Sequence, residues 1–225
     1  MKKICITGSL HWDILVNTNN IPKKDETVKG SKVNYLFGGK GGNQALSANR
    51  YGSNTYFIGR VGKDNFGEKI LNTLKKSTID IKQLQIGTEK SGMSVAVVDK
   101  KGNYSATIVS GANLNIDCKK IIIKKDTGIL LLQNEIPEKI NLIAAKKAKE
   151  QNCEVWINAA PARKINRELL ELTDIIIMNK VEAEFYKKTI FKNKLYKITK
   201  IITLGSKGLK AEFSNGLHKK LEPLK

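Results

Sequence analysis

Three short segments carry apolar side chains without interruption: "ILLL" at 129–132, "IIIM" at 175–178 and "II" at 201–202. A strand with one face in water alternates apolar and polar residues, so a strand apolar at every position is covered on both sides. That requires helices above and below a largely parallel sheet. The segments between the runs supply them. Pro137 opens a stretch whose Ile140, Ile143, Ala144 and Ala148 share one helical face. "GEKILNTLKKS" places Ile70, Leu71 and Leu74 on one side, and 167–172 reads as a short helix. "KICITG", "TYFIGRVG", "EVWIN" and "LKAEF" are further strands. The predicted class is α/β, a single domain over residues 1–225.

Two segments fall outside this rhythm. Residues 14–36 alternate polar and apolar and are broken by Pro22 and Gly30, as exposed antiparallel strands are. Residues 92–110 read as a hairpin turning at 100–103 around Gly102. Together they form a predicted small sheet apart from the main one.

The 225 residues suffice for a substantial core. No apolar run approaches the ~18 residues of a membrane helix, and the apolar start ends too soon for a signal peptide, so a cytoplasmic protein is expected and no membrane partner. Cys5, Cys118 and Cys153 are odd in number and widely spaced, which predicts reduced thiols and neither a disulfide framework nor a metal site. The net charge of +19 raises nucleic acid as a partner. Only Arg50, Arg60, Arg163 and Arg167 are arginines, however, and arginine is the preferred fork for phosphates and base edges. Dispersed lysine charge is the favoured reading, and nucleic acid is disfavoured.

Ligands of open α/β sheets lie beyond the carboxyl ends of the strands. Asp13, Glu135, Asn158, Asn179 and Thr203 all sit near such ends. At 37–45, "FGGKGGNQA" offers bare backbone N–H groups at a helix start, with Lys40 and Asn43 as directional donors. This is neither a phosphate-binding Walker loop, for no Lys-Ser or Lys-Thr follows, nor a dinucleotide G-x-G-x-x-G turn. It suits a small polyhydroxylated ligand. Plainer roles stand beside each of these. The glycines could serve tight packing, Asp13 and Glu135 could cap turns, and Lys40 could be a solvated charge. Asn179 with Glu182 could simply begin a helix, and 203–208 could be a hairpin turn.

An ordered set of strings resembles the ribokinase family of sugar kinases: "GSLHWD" at 8–13, the glycine cluster, "VGKDNFG", "SGAN" at 110–113, "LLLQNEIP", "INAAPAR", "MNKVEAE" and "TLGSKG". The resemblance runs from the first strand to about Leu221. It implies a three-layer α/β/α sandwich with a mainly parallel sheet, and a small β-sheet lid made of 14–36 and 92–110. It further implies transfer of the ATP γ-phosphoryl group to a hydroxyl of a pentose such as ribose. Asp13, Gly39, Lys40, Asn43 and Glu135 match the sugar-binding positions, and His11 stands where the family pattern has asparagine. Asn179, Thr203, Gly205 and Ser206 match nucleotide contacts, and Glu182 a magnesium-positioning carboxylate. ATP and Mg2+ are the implied cofactors, with a monovalent cation such as K+ as a further one, and the lid is also a homodimer contact in such proteins.

One part of the pattern has no match. Family members are longer and carry a downstream Gly-Ala-Gly-Asp at a helix start, whose aspartate is the catalytic base. No G-x-G-D occurs in this sequence, so no catalytic residue is assigned. The segment between 184 and 200 is also shorter than usual, and a helix there is expected to be lost or reduced. Losing the base and one anion-holding donor each costs orders of magnitude in rate. A weak or absent kinase activity is therefore expected of this chain alone. A non-catalytic sugar- or nucleotide-binding relative is the rival reading.

Overall fold

Strand β1 (Lys3–Thr7) lies near the middle of the main sheet, and its side chains go to opposite sides. Ile6 joins one core cluster and Cys5 the other, and both are fully buried. This is the two-faced burial that uninterrupted apolar strands require. The computed structural model describes residues 2–191 and 197–223.

The main sheet takes β1, β4 (Thr55–Gly62), β5 (Asp80–Gly87), β8 (Thr127–Gln133), β9 (Glu154–Asn158), β10 (Ile175–Met178), β11 (Thr199–Thr203), β12 (Leu209–Glu212) and β13 (His218–Leu221). Their order is β13-β12-β11-β10-β9-β8-β1-β4-β5. From β5 to β11 every neighbouring pair is parallel, and β11-β12-β13 closes the sheet with antiparallel hairpins. One face packs against α1 (Lys40–Arg50) and α2 (Asn65–Lys75), which bury Ile6, Phe57, Ile70 and Leu74. The other packs against α3 (Glu138–Glu150), α4 (Arg167–Glu171) and α5 (Lys180–Phe185), burying Leu130, Val155, Ile157 and Ile176. The architecture is the expected α/β sandwich.

The two alternating segments pair as a separate sheet, as predicted. It takes β2 (His11–Thr18), β3 (Gly30–Gly38), β6 (Met93–Val98) and β7 (Tyr104–Val109) in the order β3-β2-β6-β7. The β6–β7 turn holds Gly102 at φ +81°, with Asp99 accepting from the Lys101 and Asn103 amides. Every residue of β7 is exposed, Tyr104, Ile108 and Val109 among them.

Sequence pattern alone does not flag β5 or β13. In β5, only Ile81 and Leu84 pack on the core, and polar Lys82, Gln83 and Gln85 hide the strand. In β13 the whole segment is exposed. In the segment between 184 and 200, where a helix is expected to be lost or reduced, the described residues after α5 form a single π-helical turn, Lys187–Phe191. The remainder of that prediction, 192–196, lies outside the described residues. All three cysteines are free, with Cys5 and Cys153 buried and their thiols pushed up to about 12 and about 11 by burial.

Candidate active site

Only Gly8, Ser9 and Leu10 connect β1 to β2, and all three are buried. The Asn113 side chain clamps this connection. Its Oδ1 accepts from the Leu10 amide at 2.9 Å, and its Nδ2 donates to the Leu10 carbonyl at 2.9 Å. His11 and Asp13 follow at the start of β2. The Asp13 carboxylate accepts from Ser94 Oγ of β6 at 2.6 Å. It also lies directly over Gly38, where any Cβ would collide with it.

The glycine cluster then acquires a specific reason. Gly39 takes the N-cap position of α1 at φ +85°, and a Cβ there would stand 2.7 Å from the Ser9 carbonyl. At Gly41 a Cβ would come equally close to the Ser9 amide nitrogen. Bare backbone thus lets the first turn of α1 press against the β1–β2 connection, which is the tight-packing role.

That turn has no acidic residue of its own. Glu135, arriving just after β8, supplies one from a distance of 95 positions in sequence. Its Oε2 accepts from the Lys40 amide at 2.9 Å and from Ser9 Oγ at 2.6 Å, and Lys40 Nζ lies 3.7 Å from Oε1. A carboxylate on helix N–H groups is electrostatically favoured by the helix dipole. Asn43 lies on the exposed side of the same helix, one turn on.

His11 is 3% exposed and lines a cavity of about 320 Å³ together with Asn134, Glu135, Arg163, Ile108 and Leu114. Burial pushes its imidazole below the ordinary value, Glu135 and Asp13 pull it up, and Lys40 pushes it down again. Glu135 shares the cavity wall with His11, and Ile108 brings the end of β7 to it. Two of the lining residues, His11 and Arg163, keep a buried nitrogen (Nε2 and Nε respectively) without a hydrogen-bond partner.

The second group of predicted residues gathers at the tips of β10 and β11. Asn179 caps α5 by accepting from the Glu182 amide at 2.9 Å, and Glu182 returns a bond to the Asn179 amide at 2.7 Å. Their plain helix-starting role is thus realised. Asn179 is exposed and Glu182 buried. Thr203 Oγ1 reaches the Met178 carbonyl at 3.4 Å, and Gly205 at φ +61° and Ser206 form an exposed turn closed by the Leu204 amide on the Gly208 carbonyl. Asn158 is half-buried at the tip of β9. Among the described residues no three His, Cys, Asp or Glu side chains cluster as a metal cage.

The two groups are tied together by residues to which sequence reading assigned no role of their own. Asn134 Nδ2 donates to Tyr186 Oη and to the Pro161 carbonyl, each at 3.1 Å. Tyr186 Oη donates in turn to the Arg163 carbonyl at 2.6 Å. Asn134, beside Glu135 in sequence, is therefore joined to Tyr186 at the end of α5 through one buried network. The partners of Ser9, Ser94 and Asn113 could not be read from sequence either, since they lie from 81 to 126 positions away.

Comparison with known proteins follows the same residues. The model of the pfkB family of carbohydrate kinases matches residues 1–211. The ribokinase of Lactococcus lactis subsp. lactis (strain IL1403) is 34% identical over 223 residues, covering 93% of this chain and 72% of that protein. That of Bacillus subtilis (strain 168) is 32% identical over 219 residues, covering 93% and 74%. Among solved structures, Thermotoga maritima ribokinase superposes with a TM-score of 0.87 at 28% identity, over 100% of this chain and 79% of its own. Arabidopsis thaliana ribokinase complexed with ribose and ATP gives 0.83 at 26% identity, over 98% and 78%.

Proposed function

The chain belongs to the pfkB family of carbohydrate kinases, and on that premise we propose that its crevice binds a pentose such as ribose for phosphorylation by ATP. The observation that supports this reading is that His11 and Glu135 line one cavity, with Lys40 Nζ 3.7 Å from Glu135 and Asp13 two positions on from His11 in β2. Vicinal hydroxyls need acceptors and donors side by side. Asp13 and Glu135 offer carboxylate oxygens, Lys40 an ammonium, and His11 and Asn43 a polar ring and an amide. The small sheet acts as the lid, with β7 over the sugar, and its exposed apolar residues suit a homodimer contact.

ATP lies along Asn179, Thr203, Gly205 and Ser206, whose exposed amide, hydroxyls and turn N–H groups fit a nucleotide. Mg2+ is held by one or two carboxylates plus phosphate oxygens rather than by an all-protein cage. Glu182, in the first turn of α5, would supply such a carboxylate, and a monovalent cation such as K+ is a further requirement the family suggests. The metal neutralises phosphate charge when bound. In the reaction a sugar hydroxyl oxygen bonds to the γ-phosphorus, the bond to the bridging oxygen of ADP breaks, and the hydroxyl proton leaves. No residue is assigned to take that proton, because the 225 residues contain no G-x-G-D. Phosphoryl transfer rests on positioning and charge stabilisation, so this reading expects weak turnover from these 225 residues by themselves.

Titration calorimetry with ribose tests the proposal. A saturable isotherm is expected, weakened about tenfold or more by Asp13→Asn, the cost of one charge-assisted hydrogen bond. A coupled assay should show turnover well below the ~1–10³ s⁻¹ of typical enzymes. The sugar-site reading fails if folded protein binds no pentose. Nucleic-acid binding that falls steeply with salt would favour the basic-protein alternative instead.

A further inference from the structure

Tyr186 ends α5 and is 1% exposed. Its backbone N–H donates to the Glu182 carbonyl at 3.0 Å, so the two residues stand one turn apart on the same side of the helix. Glu182 is buried too, and it belongs to the capping box that starts α5. One six-residue helix thus carries the candidate metal carboxylate in its first turn and a buried phenol at its end.

A phenol hydroxyl offers one proton and two lone pairs. At Tyr186 all three are used. Its Oη donates to the Arg163 carbonyl at 2.6 Å, in preference to the Ala159 carbonyl at 3.5 Å. It accepts from Asn134 Nδ2 at 3.1 Å and from the Arg163 backbone N–H at 3.2 Å. These partners belong to two segments of the crevice wall, for Asn134, Glu135, Pro161 and Arg163 all line the cavity with His11. Asn134 pins the segments to each other as well, donating to the Pro161 carbonyl at 3.1 Å and, from its backbone, to the Ala160 carbonyl at 3.0 Å. A phenylalanine would serve packing equally well. What the hydroxyl adds is the link between α5 and the wall.

We propose that Tyr186 is a positioning residue that couples the two ends of the site. Through its hydroxyl, a nucleotide held at the Asn179–Glu182 end of α5 steadies the 134–137 and 161–163 walls for the sugar. The inference rests on the site reading of the preceding subsection, and assigns the residue through which the two ligands favour each other. Such coupling is reciprocal, so each ligand raises the other's affinity by the same factor.

Titration calorimetry tests this with ribose, in the presence and absence of saturating AMP-PNP and Mg2+, and with AMP-PNP in the presence and absence of ribose. In the unaltered chain each ligand should tighten the other by about fivefold or more, by matching factors. Tyr186→Phe should bring both factors below about two while its thermal melt stays cooperative. Asn134→Leu should do the same from the other side of the bond. The double variant should lose no more coupling than either single one, because both cut one link. A merely structural tyrosine would lower the melting temperature and leave the factors alone. Unchanged factors in folded Tyr186→Phe overturn the proposal, as do unchanged factors in Asn134→Leu where Tyr186→Phe does not fold. Independent binding of both ligands to the unaltered chain overturns it too. Binding of only one ligand, or of neither, sinks the site reading itself and the coupling with it.

Discussion

Gly39 concentrates two constraints in one residue. Its φ of +85° is costly for any residue with a Cβ, and that Cβ would stand 2.7 Å from the Ser9 carbonyl. Gly39→Ala should cost about 1–3 kcal/mol from backbone strain alone, with the steric clash added. Thermal unfolding should move down by roughly 2–4 °C per kcal/mol in a chain of this size. Neighbouring His11 couples the site to pH. Its folded-state value is pushed below the ordinary 6.5, chiefly by burial. Between those two values the unfolded chain binds more protons than the folded one. Stability is therefore full above 6.5 and is lost as pH falls towards the depressed folded value. His11→Asn should remove that component, which denaturant melts across about pH 5 to 7.5 will detect as a flatter profile.

At the scale of elements, α5 carries the sharpest ambiguity. Its capping box uses both Asn179 and Glu182, the same two side chains assigned to nucleotide and metal. Asn179→Ala should cost ~1 kcal/mol through the lost cap, measured by chemical denaturation. ATP affinity of the same variant, measured in parallel, should fall as well. A stability loss with unchanged ATP affinity would reduce Asn179 to a cap and nothing more. Elements differed in how plainly the sequence announced them. β8, β9 and β10 were legible because apolar runs admit few alternatives, and the β6–β7 hairpin because Gly102 marks its turn. β5 was hidden because only Ile81 and Leu84 of its eight residues join the core. Of the site, the strand-tip carboxylates and the glycine cluster could be picked out by position. What could not be read was the binding of Glu135 to the start of α1, a partnership between residues 95 apart.

For the molecule as a whole, the layout separates a well-covered half from a half-covered one. α1 to α3 with β1, β4 and β8 hold most of the fully buried side chains, while β10 to β13 have one open face. The way the small sheet is joined to this body sets what it can do. Its inner strand leaves β1 after three buried residues whose only slack is taken up by the Asn113 clamp. Such a short, pinned tether leaves no room for a free-swinging flap. Whatever movement the small sheet has is left to bending or twisting of its outer strands, while the pinned start of β2 around His11 and Asp13 holds its position against β1.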